Sequence, residues 1–400
     1  MILQAVHASP VAAQTSVAPT VNPRESARIR LGPLYMTPAL PLVGIGVDTN
    51  VFNSSLDPRS DVTATANPSL DLWVPMARRA LISTSFSADL VYFKEFSSQR
   101  SVNPSVNVRG ELFSRFVTLF AGRGYSRSKQ RSNLEIDTRS RYVSIDNRAG
   151  AILALGTRTA AEVSAFQRET TYDRGEEFLG TNLAQALNRE EYGAQLDLRH
   201  RLTSFTTLLA SASVQRDRFD ESSERNSDST RLTTGFAFNP RALISGRAEV
   251  GLRQFKTRDA ALPDYTGIVA ATSVVYTLRQ LTQFSVTWDR DVSYSYQADT
   301  PYFVANGIGL QIQRQIRGNL DAGLGAQRTT YAYRGFSSSL VTPERTDVTT
   351  SYSADIGYRL NRNLRMSFGA TVLERAVPDD PSRGYRATRA ALSVAYVLPS

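Results

Sequence analysis

The sequence predicts an all-β fold, namely a single transmembrane antiparallel β-barrel of about 18 strands. Apolar and polar residues alternate along many segments, which is the side-chain period of a strand. The connections between these segments are alternately short and long. Bacterial outer-membrane barrels share this arrangement, with short periplasmic turns, longer extracellular loops and an even number of strands. A chain built of such hairpins removes all its strand edges only by closing into a barrel.

The elements follow from the connections in chain order. Each predicted strand runs between one short turn and one longer link, and is long enough to cross a bilayer at a tilt of about 45°. The chain would therefore begin and end on the periplasmic side. Short turns are predicted at residues 76–79, 114–116, 156–158, 202–204, 239–242, 278–280, 315–318 and 361–363. Longer polar links are predicted at residues 51–61, 94–103, 127–139, 173–188, 220–228, 258–264, 296–301, 332–344 and 377–384.

The hairpin around the turn at residues 361–363 shows the expected orientation most clearly. Tyr352 and Ile356 fall on the apolar side of its first strand, whereas Asp355 and Arg359 fall on the polar side. Since successive side chains of a strand point to opposite faces, the apolar side should face lipid and the polar side a wet lumen. The turn should face the periplasm.

Composition excludes several other classes of protein. The chain has 400 residues, of which 41% are hydrophobic, and it contains no apolar run long enough to span a bilayer as a helix. Cysteine is absent, so neither a disulfide framework nor a thiolate site can form. The formal net charge is +9, but the arginines are spread along the chain among many acids. A nucleic-acid partner is not expected, because that function requires a clustered basic patch.

Three regions are expected along the chain. Residues 1–13 resemble the remnant of a signal peptide, since Val11 and Ala13 suit the −3 and −1 positions of a cleavage site. Residues 14–34 are polar and contain prolines, which favours a disordered segment. Residues 35–400 show no change of composition and are predicted to form the barrel.

Catalytic chemistry is not expected. The two histidines are His7, within the possible signal remnant, and His200, beside a short turn with no nucleophile near it in the sequence. Acids in the longer links lack the ordered spacing of a calcium loop. We therefore predict a protein that is not an enzyme and has no catalytic, cofactor-binding or metal-binding residues.

Charged residues on the polar faces of the strands are the candidate functional residues. Such residues must be hydrated or paired, since an arginine that faces lipid at mid-membrane costs about 2–4 kcal/mol. They would either line a hydrated conduit or brace the wall, and both interpretations stay open. The pore-lining candidates are Arg109, Glu111, Asp146, Arg148, Asp197, Arg199, Arg247, Glu249, Arg253, Asp289, Asp321, Asp355 and Arg359.

Aromatic residues lie near many predicted strand ends, where they would form the interfacial girdles of a membrane barrel. An alternative is that aromatic residues simply favour strands. The residues concerned are Tyr92, Phe93, Tyr125, Tyr172, Phe236, Phe238, Tyr294, Tyr331 and Tyr396.

Three stretches resemble a known family. Residues 41–52, Asp61 and residues 67–72 are similar to the opening hairpin of the β-barrel porin family often found with exopolysaccharide synthesis and export systems. Residues 358–364 resemble a periplasmic turn of that family. One departure is that Tyr396 is followed by four more residues, whereas many outer-membrane barrels end on an aromatic residue.

The resemblance implies an integral outer-membrane pore that takes part in secreting a polysaccharide. Its expected partners are outer-membrane lipids including lipopolysaccharide, the polysaccharide cargo, a periplasmic export component and the barrel insertion machinery. Two other functions stay open at this point. One is a general diffusion porin for small anionic solutes, and the other is a structural or adhesive barrel without an open pore.

Overall fold

The computed structural model describes residues 27–76, 79–133, 135–240, 242–336, 345–361, 363–378 and 380–396, apart from the side chains of residues 41 and 42. These residues form a closed antiparallel barrel of 18 strands, which confirms the predicted fold class. The predicted signal remnant, most of the predicted disordered segment and the last four residues lie outside the described residues.

The strands are defined here by their bounds along the chain. They are β1 (Leu34–Asp48), β2 (Asp61–Ala66 and Ser69–Met76), β3 (Ala80–Phe93), β4 (Ser101–Phe113), β5 (Val117–Gln130), β6 (Ser140–Ala154), β7 (Thr159–Tyr172), β8 (Arg189–Arg201), β9 (Thr206–Phe219), β10 (Ser227–Phe238), β11 (Ile244–Thr257), β12 (Tyr265–Leu278), β13 (Thr282–Tyr294), β14 (Tyr302–Arg317), β15 (Leu320–Arg334), β16 (Thr346–Arg359), β17 (Leu364–Ala376) and β18 (Tyr385–Tyr396).

The last strand closes the barrel by pairing with the first. Val43 of β1 lies opposite Val394 of β18, and both parts of β2 pair with β1 on its other side. The break in β2 falls at Asn67 and Pro68, where proline has no N–H to give to the ladder. A short strand, Ile29–Leu31, pairs with the start of β1. The sheet therefore begins ahead of the predicted boundary at residue 35.

The barrel is apolar outside and polar inside. Leu310 and Leu324 on the outer face are 57% and 65% exposed, whereas the inward Glu162 and Asp217 are almost fully buried. Tyr352 and Ile356 are exposed as expected, at 55% and 48%. This inversion of the soluble pattern is typical of a barrel whose outer face meets lipid.

The connections confirm the predicted alternation. Every predicted short turn lies at one end of the barrel and every predicted longer link at the other, although residues 77–78, 241 and 362 within the turns and residues 337–344 and 379 within the links lie outside the described residues. The longer links contain short 3₁₀ turns and a five-residue helix, α1 (Leu183–Leu187). Within the described ranges, the structure has no helix of the length and apolarity that crossing a membrane requires.

The aromatic residues at strand ends divide between the two faces. Tyr92, Tyr125, Phe236 and Tyr396 are exposed on the outer face, where the girdle interpretation places them. The girdle interpretation is wrong for Phe93, Tyr172 and Tyr331, each of which is 5% exposed. It is also wrong for Tyr294, which forms a hydrogen bond with Ser227 on the inner face of β10. They point inward because the long-loop end of the barrel contains a packed core.

Candidate functional site: the barrel interior and its lid

The inner wall holds a network of buried ion pairs centred on Glu162, toward the short-turn ends of β7 and β8. Its carboxylate accepts hydrogen bonds from Arg148 at 3.2 Å and from Arg199 at 3.3 Å. Arg148 also donates to the Ser164 hydroxyl at 2.9 Å and lies 3.8 Å from Asp197. The four charged residues come from β6, β7 and β8, whose inward positions lie side by side in the sheet. Each charge therefore lies within 4 Å of an opposite charge on another of these three strands.

Other predicted residues form further pairs on the same arc of the wall. Arg109 donates to Glu111 at 3.0 Å and its guanidinium lies 4.0 Å from the centre of the Phe120 ring. Asp146 accepts from Arg168 at 2.7 Å. Arg247 forms an ion pair with Glu249, and Arg253 donates a hydrogen bond to Asp291 at 2.8 Å.

A separate network lies toward the short-turn end of β15, β16 and β17. Arg365 donates through Nε to both carboxylate oxygens of Asp321 at 3.1 Å, and through Nη2 to Asp355 at 2.8 Å. Arg359, at the end of β16, lies 3.6 Å from Asp321 and is half exposed. Asp289 has no ion-pair partner among the residues that the structure describes. All the predicted candidates thus lie on the inner face, but their part in conduction stays a prediction.

The opposite arc of the inner wall, from β13 to β16, is rich in neutral polar positions, and we call it the neutral arc. Most of its inward positions carry amide or hydroxyl side chains or glycine. The same face also holds Asp289, Asp291, Asp321, Asp347, Asp355, Arg359, Tyr331 and Tyr333. These positions are assigned to the inner face because they alternate along their strands with Val286, Leu310 and Leu324, which are exposed on the outer face. The inward neutral residues are Gln283, Ser285, Thr287, Gly307, Gly309, Gln311, Gln313, Gly323, Gly325, Gln327, Ser351 and Ser353.

At the long-loop end, the tip of the β13–β14 hairpin bends into the barrel. The ladder between β12 and β13 stops at Ala270↔Arg290, whereas β13 and β14 stay paired as far as Tyr294↔Tyr302. Three successive residues of β14, Tyr302, Phe303 and Val304, are at most 4% exposed. Because successive side chains point to opposite faces, both faces of the tip are covered.

Aromatic contacts show what covers the two faces of this tip. On one side Tyr302 lies 5.0 Å, between ring centres, from the inward Phe255 of β11. On the other side Phe303 lies 5.3 Å and 5.4 Å from Tyr331 and Tyr333 of β15. The 3₁₀ residue Arg225 donates to the carbonyls of residues 295–297 at 2.8–3.2 Å. We name residues 291–305 the inward hairpin.

A second segment crosses the mouth from the far wall. Residues 131–133 and 135–139, which we name the crossing loop, lie between β5 and β6, nearly half-way round the barrel from the inward hairpin. The Ser295 hydroxyl donates to Glu135 Oε1 at 2.7 Å, and Arg375 of β17 donates to the Glu135 carbonyl at 3.0 Å. Ile136 is fully buried in a cluster with Leu183, Leu187, Phe219 and Tyr296. The crossing loop, the inward hairpin and residues 173–188 with α1 together form what we call the lid.

Buried charges hold the lid to the wall. Arg375, 4% exposed, contacts the Asp137 carboxylate of the crossing loop and donates to Asp347 of β16 at 2.8 Å. Arg345 pairs with the same Asp347 at 2.8 Å. Burial raises the pKa of Glu135 to about 7, and its Oε2 has no hydrogen-bond partner in the described part of the chain. The lid thus combines an apolar core with a few strong ionic contacts.

Several charged residues were missing from the candidates predicted from sequence. Glu162 could have been found, because it precedes the outward Val163 and so falls on the inner face by the same alternation. Residues of the lid could not, since Glu135, Ser295 and Arg375 are far apart in the chain. Other inward or lid charges that the prediction omitted include Arg168, Arg189, Glu191, Asp217, Arg231, Asp291, Asp347 and Arg365.

Comparison with solved structures shows barrels of the same type. A BenF-like porin from Pseudomonas fluorescens Pf-5 is 8% identical, with 90% of this chain and 99% of that chain covered and a TM-score of 0.50. OccAB3 of Acinetobacter baumannii is 12% identical, with 90% and 98% covered and a TM-score of 0.48. No curated protein matches this sequence. The family model described as "Putative beta-barrel porin 2" matches residues 22–397, and the chain therefore belongs to that β-barrel porin family.

Proposed function

We propose that this protein is an integral outer-membrane pore that conducts a polar, hydroxyl-rich polymer, of the exopolysaccharide class, outward. The observation that carries the proposal is the neutral arc of amide, hydroxyl and glycine positions on β13 to β16. Amide and hydroxyl side chains both donate and accept hydrogen bonds, as sugar hydroxyls do. Glycines such as Gly309 and Gly325 leave the wall without side chains that would obstruct a bulky chain.

The charged arc supports the same function. Its arginines and carboxylates are paired, so their fields largely cancel, and the lining offers many weak contacts in place of one tight site. A chain that must move on is best served by contacts that are individually weak. The periplasmic end would receive the polymer from an export component, and the barrel would reach the membrane through the insertion machinery.

The lid requires that conduction be gated. The inward hairpin and the crossing loop must move before a polymer can leave through the long-loop end. A rival function is a diffusion porin for small anions, which the net charge of +9 favours. A second rival is a structural barrel whose lid never opens, which the buried core of the lid favours.

Deletion of the gene tests the proposal in cells. We expect polymer synthesis to continue while polymer disappears from the cell surface. Complementation with Gln311→Leu/Gln313→Leu should restore surface polymer poorly, because two amide contacts of the neutral arc are lost. The matched control, Leu310→Ile, changes a lipid-facing residue on the same strand and should restore it fully. Normal surface polymer in the deletion strain would rule out export.

Planar-bilayer recordings separate the rivals. Anion-selective conductance that added oligosaccharides leave unchanged would favour the diffusion porin. No conductance from a variant that lacks residues 132–138 would favour a closed structural barrel. We expect that deletion to give a conductance that oligosaccharides block transiently.

A further inference from the structure

A groove of about 960 Å³ opens on the outer face of the barrel, toward the long-loop end. It lies where β4 and β5 separate, because their ladder begins only at Ser105↔Ser126. The separation has a cause in the sequence, since Pro104 has no N–H to donate to the ladder. The Lys129 N–H still bridges the gap by donating to Asn103 Oδ1 at 2.8 Å.

The floor of the groove is apolar and belongs to the lipid-facing surface. Ile45 and Val102, which line it, are 62% and 65% exposed, and Leu90 and Tyr92 are also exposed. Pro104 adds a further apolar ring. A convex barrel wall offers lipid only a line of contact, whereas this concave floor can enclose part of an acyl chain.

Four cations stand together in this groove. Arg100, Arg127, Lys129 and Arg141 all line it. Lys129 lies directly opposite Arg141 in the ladder between β5 and β6. Like charges at directly opposed positions destabilise a sheet, so this arrangement is costly unless an anion compensates for it.

Acids of the protein compensate the cluster only in part. Asp173 lies 3.7 Å from Arg127, with both side chains well exposed, and Glu176 acts on Lys129 at longer range. Arg100 has no acidic partner among the described residues: it stacks 4.3 Å over the Tyr92 ring and donates to the Phe93 and Lys94 carbonyls at 2.8 Å and 3.0 Å. Arg141 is exposed and has no polar side-chain contact among the described residues. Positive charge is thus left over at the head of an apolar groove.

We propose that this groove binds a phosphorylated, acylated lipid of the outer leaflet, with an acyl chain on the apolar floor and the phosphate against the four cations. Arginine side chains bind phosphate through paired, charge-assisted hydrogen bonds. Basic pockets beside membrane-spanning segments are recognised sites for anionic head groups. Free phosphate would leave the apolar floor uncovered, and a protein partner would have to enter the bilayer to cover it.

The test uses the full chain, folded in detergent, and purified lipid A as the probe. Native mass spectrometry and titration should show binding to the unmodified barrel, at least tenfold weaker for Arg127→Gln/Arg141→Gln. Dephosphorylated lipid A should bind the unmodified barrel as weakly as lipid A binds the variant. Arg386→Gln, an outward arginine outside the groove, is the matched control and should leave binding unchanged.

Three results would overturn the inference: equal binding of lipid A by the double variant, equal binding of dephosphorylated lipid A, or dimers that form through the groove and exclude lipid. Arg127→Lys/Arg141→Lys keeps the charges and should keep most of the affinity, which distinguishes lost phosphate contacts from misfolding. If Arg127→Gln/Arg141→Gln does not fold, the exposed Arg141→Gln alone replaces it. The inference rests on the proposed outer-membrane placement and not on the cargo, so a barrel that inserts but does not bind lipid A refutes this site alone.

Discussion

Replacing Arg375 should open the lid. Arg375→Met keeps the length of the side chain and the strand ladder but removes the guanidinium that contacts Asp137, Asp347 and the Glu135 carbonyl. Asp347 keeps Arg345 at 2.8 Å, whereas Asp137 is left buried without this partner. Breaking a buried ion pair by removing one partner costs about 3–5 kcal/mol. At 1.4 kcal/mol per tenfold change, the population of open lids should rise ~10²-fold or more.

Two measurements follow the opening. Single-channel recordings should show longer open times and a larger conductance for Arg375→Met. Trypsin should cleave the crossing loop at Arg131 or Arg139, which in the closed lid are engaged with the Val51 carbonyl and the Ser101 hydroxyl. The matched control is Arg386→Met on the adjacent strand. Its pair with Glu374 is largely exposed, and such pairs contribute only about 0–1 kcal/mol.

Equal conductance and equal cleavage in Arg375→Met and Arg386→Met would show that the ion pairs of Arg375 do not hold the lid closed. A further check is Asp137→Asn in the Arg375→Met background. Because this change removes the unpaired buried charge, it should restore part of the closure. If closure is not restored, the loss came from packing of the arginine stem and not from the ion pair.

Three further predictions concern other parts of the structure. Burial raises the pKa of Glu135 from 4.5 to about 7, so the closed lid holds a proton that an open lid releases. The free energy that favours the closed lid should fall as pH rises from 4.5, and the fall should be complete above about pH 7, where it amounts to about 3 kcal/mol. Conductance should rise over this pH interval, and Glu135→Gln should abolish the rise. Glu162→Gln removes the carboxylate that Arg148 and Arg199 share, so it should lower the free energy of unfolding by about 3 kcal/mol. The loss of this negative charge should also shift the reversal potential toward anion selectivity. An unchanged reversal potential would show that this network does not face the conduit. Gly251→Ala places a Cβ against the Leu232 carbonyl of the neighbouring strand and should abolish the heat-modifiable folded band on a gel. Gly156→Ala meets nothing within 4 Å and should leave that band unchanged. A normal band for both variants would show that the barrel wall can accommodate a side chain at Gly251.

Alternation made the wall of the barrel predictable, because it depends only on neighbours along one strand. It placed Asp355 and Tyr352 on their correct faces and fixed the strand number through the connections. The lid was not predictable in this way, since the partners of Glu135 lie on β17 and in the β13–β14 connection. The girdle interpretation failed for Tyr172 and Tyr331 for the same reason: their surroundings are set by loops that fold back over them.

The passage and the lid place opposite demands on the same barrel. Under the proposed export function, contacts along the neutral arc must be weak, so that a polymer held at many points can still advance. At the mouth, contacts must be strong and few, because a barrel of this size left open would leak small solutes. Arg375 meets the second demand by joining the crossing loop to the wall through buried carboxylates. A neutral polysaccharide has no group that can replace Asp137 at this arginine, so a neutral cargo needs another source of energy to open the lid. An acidic polysaccharide could compete for Arg375 with its own carboxylates, so under the proposed function the charge of the cargo would decide whether cargo alone can open the lid.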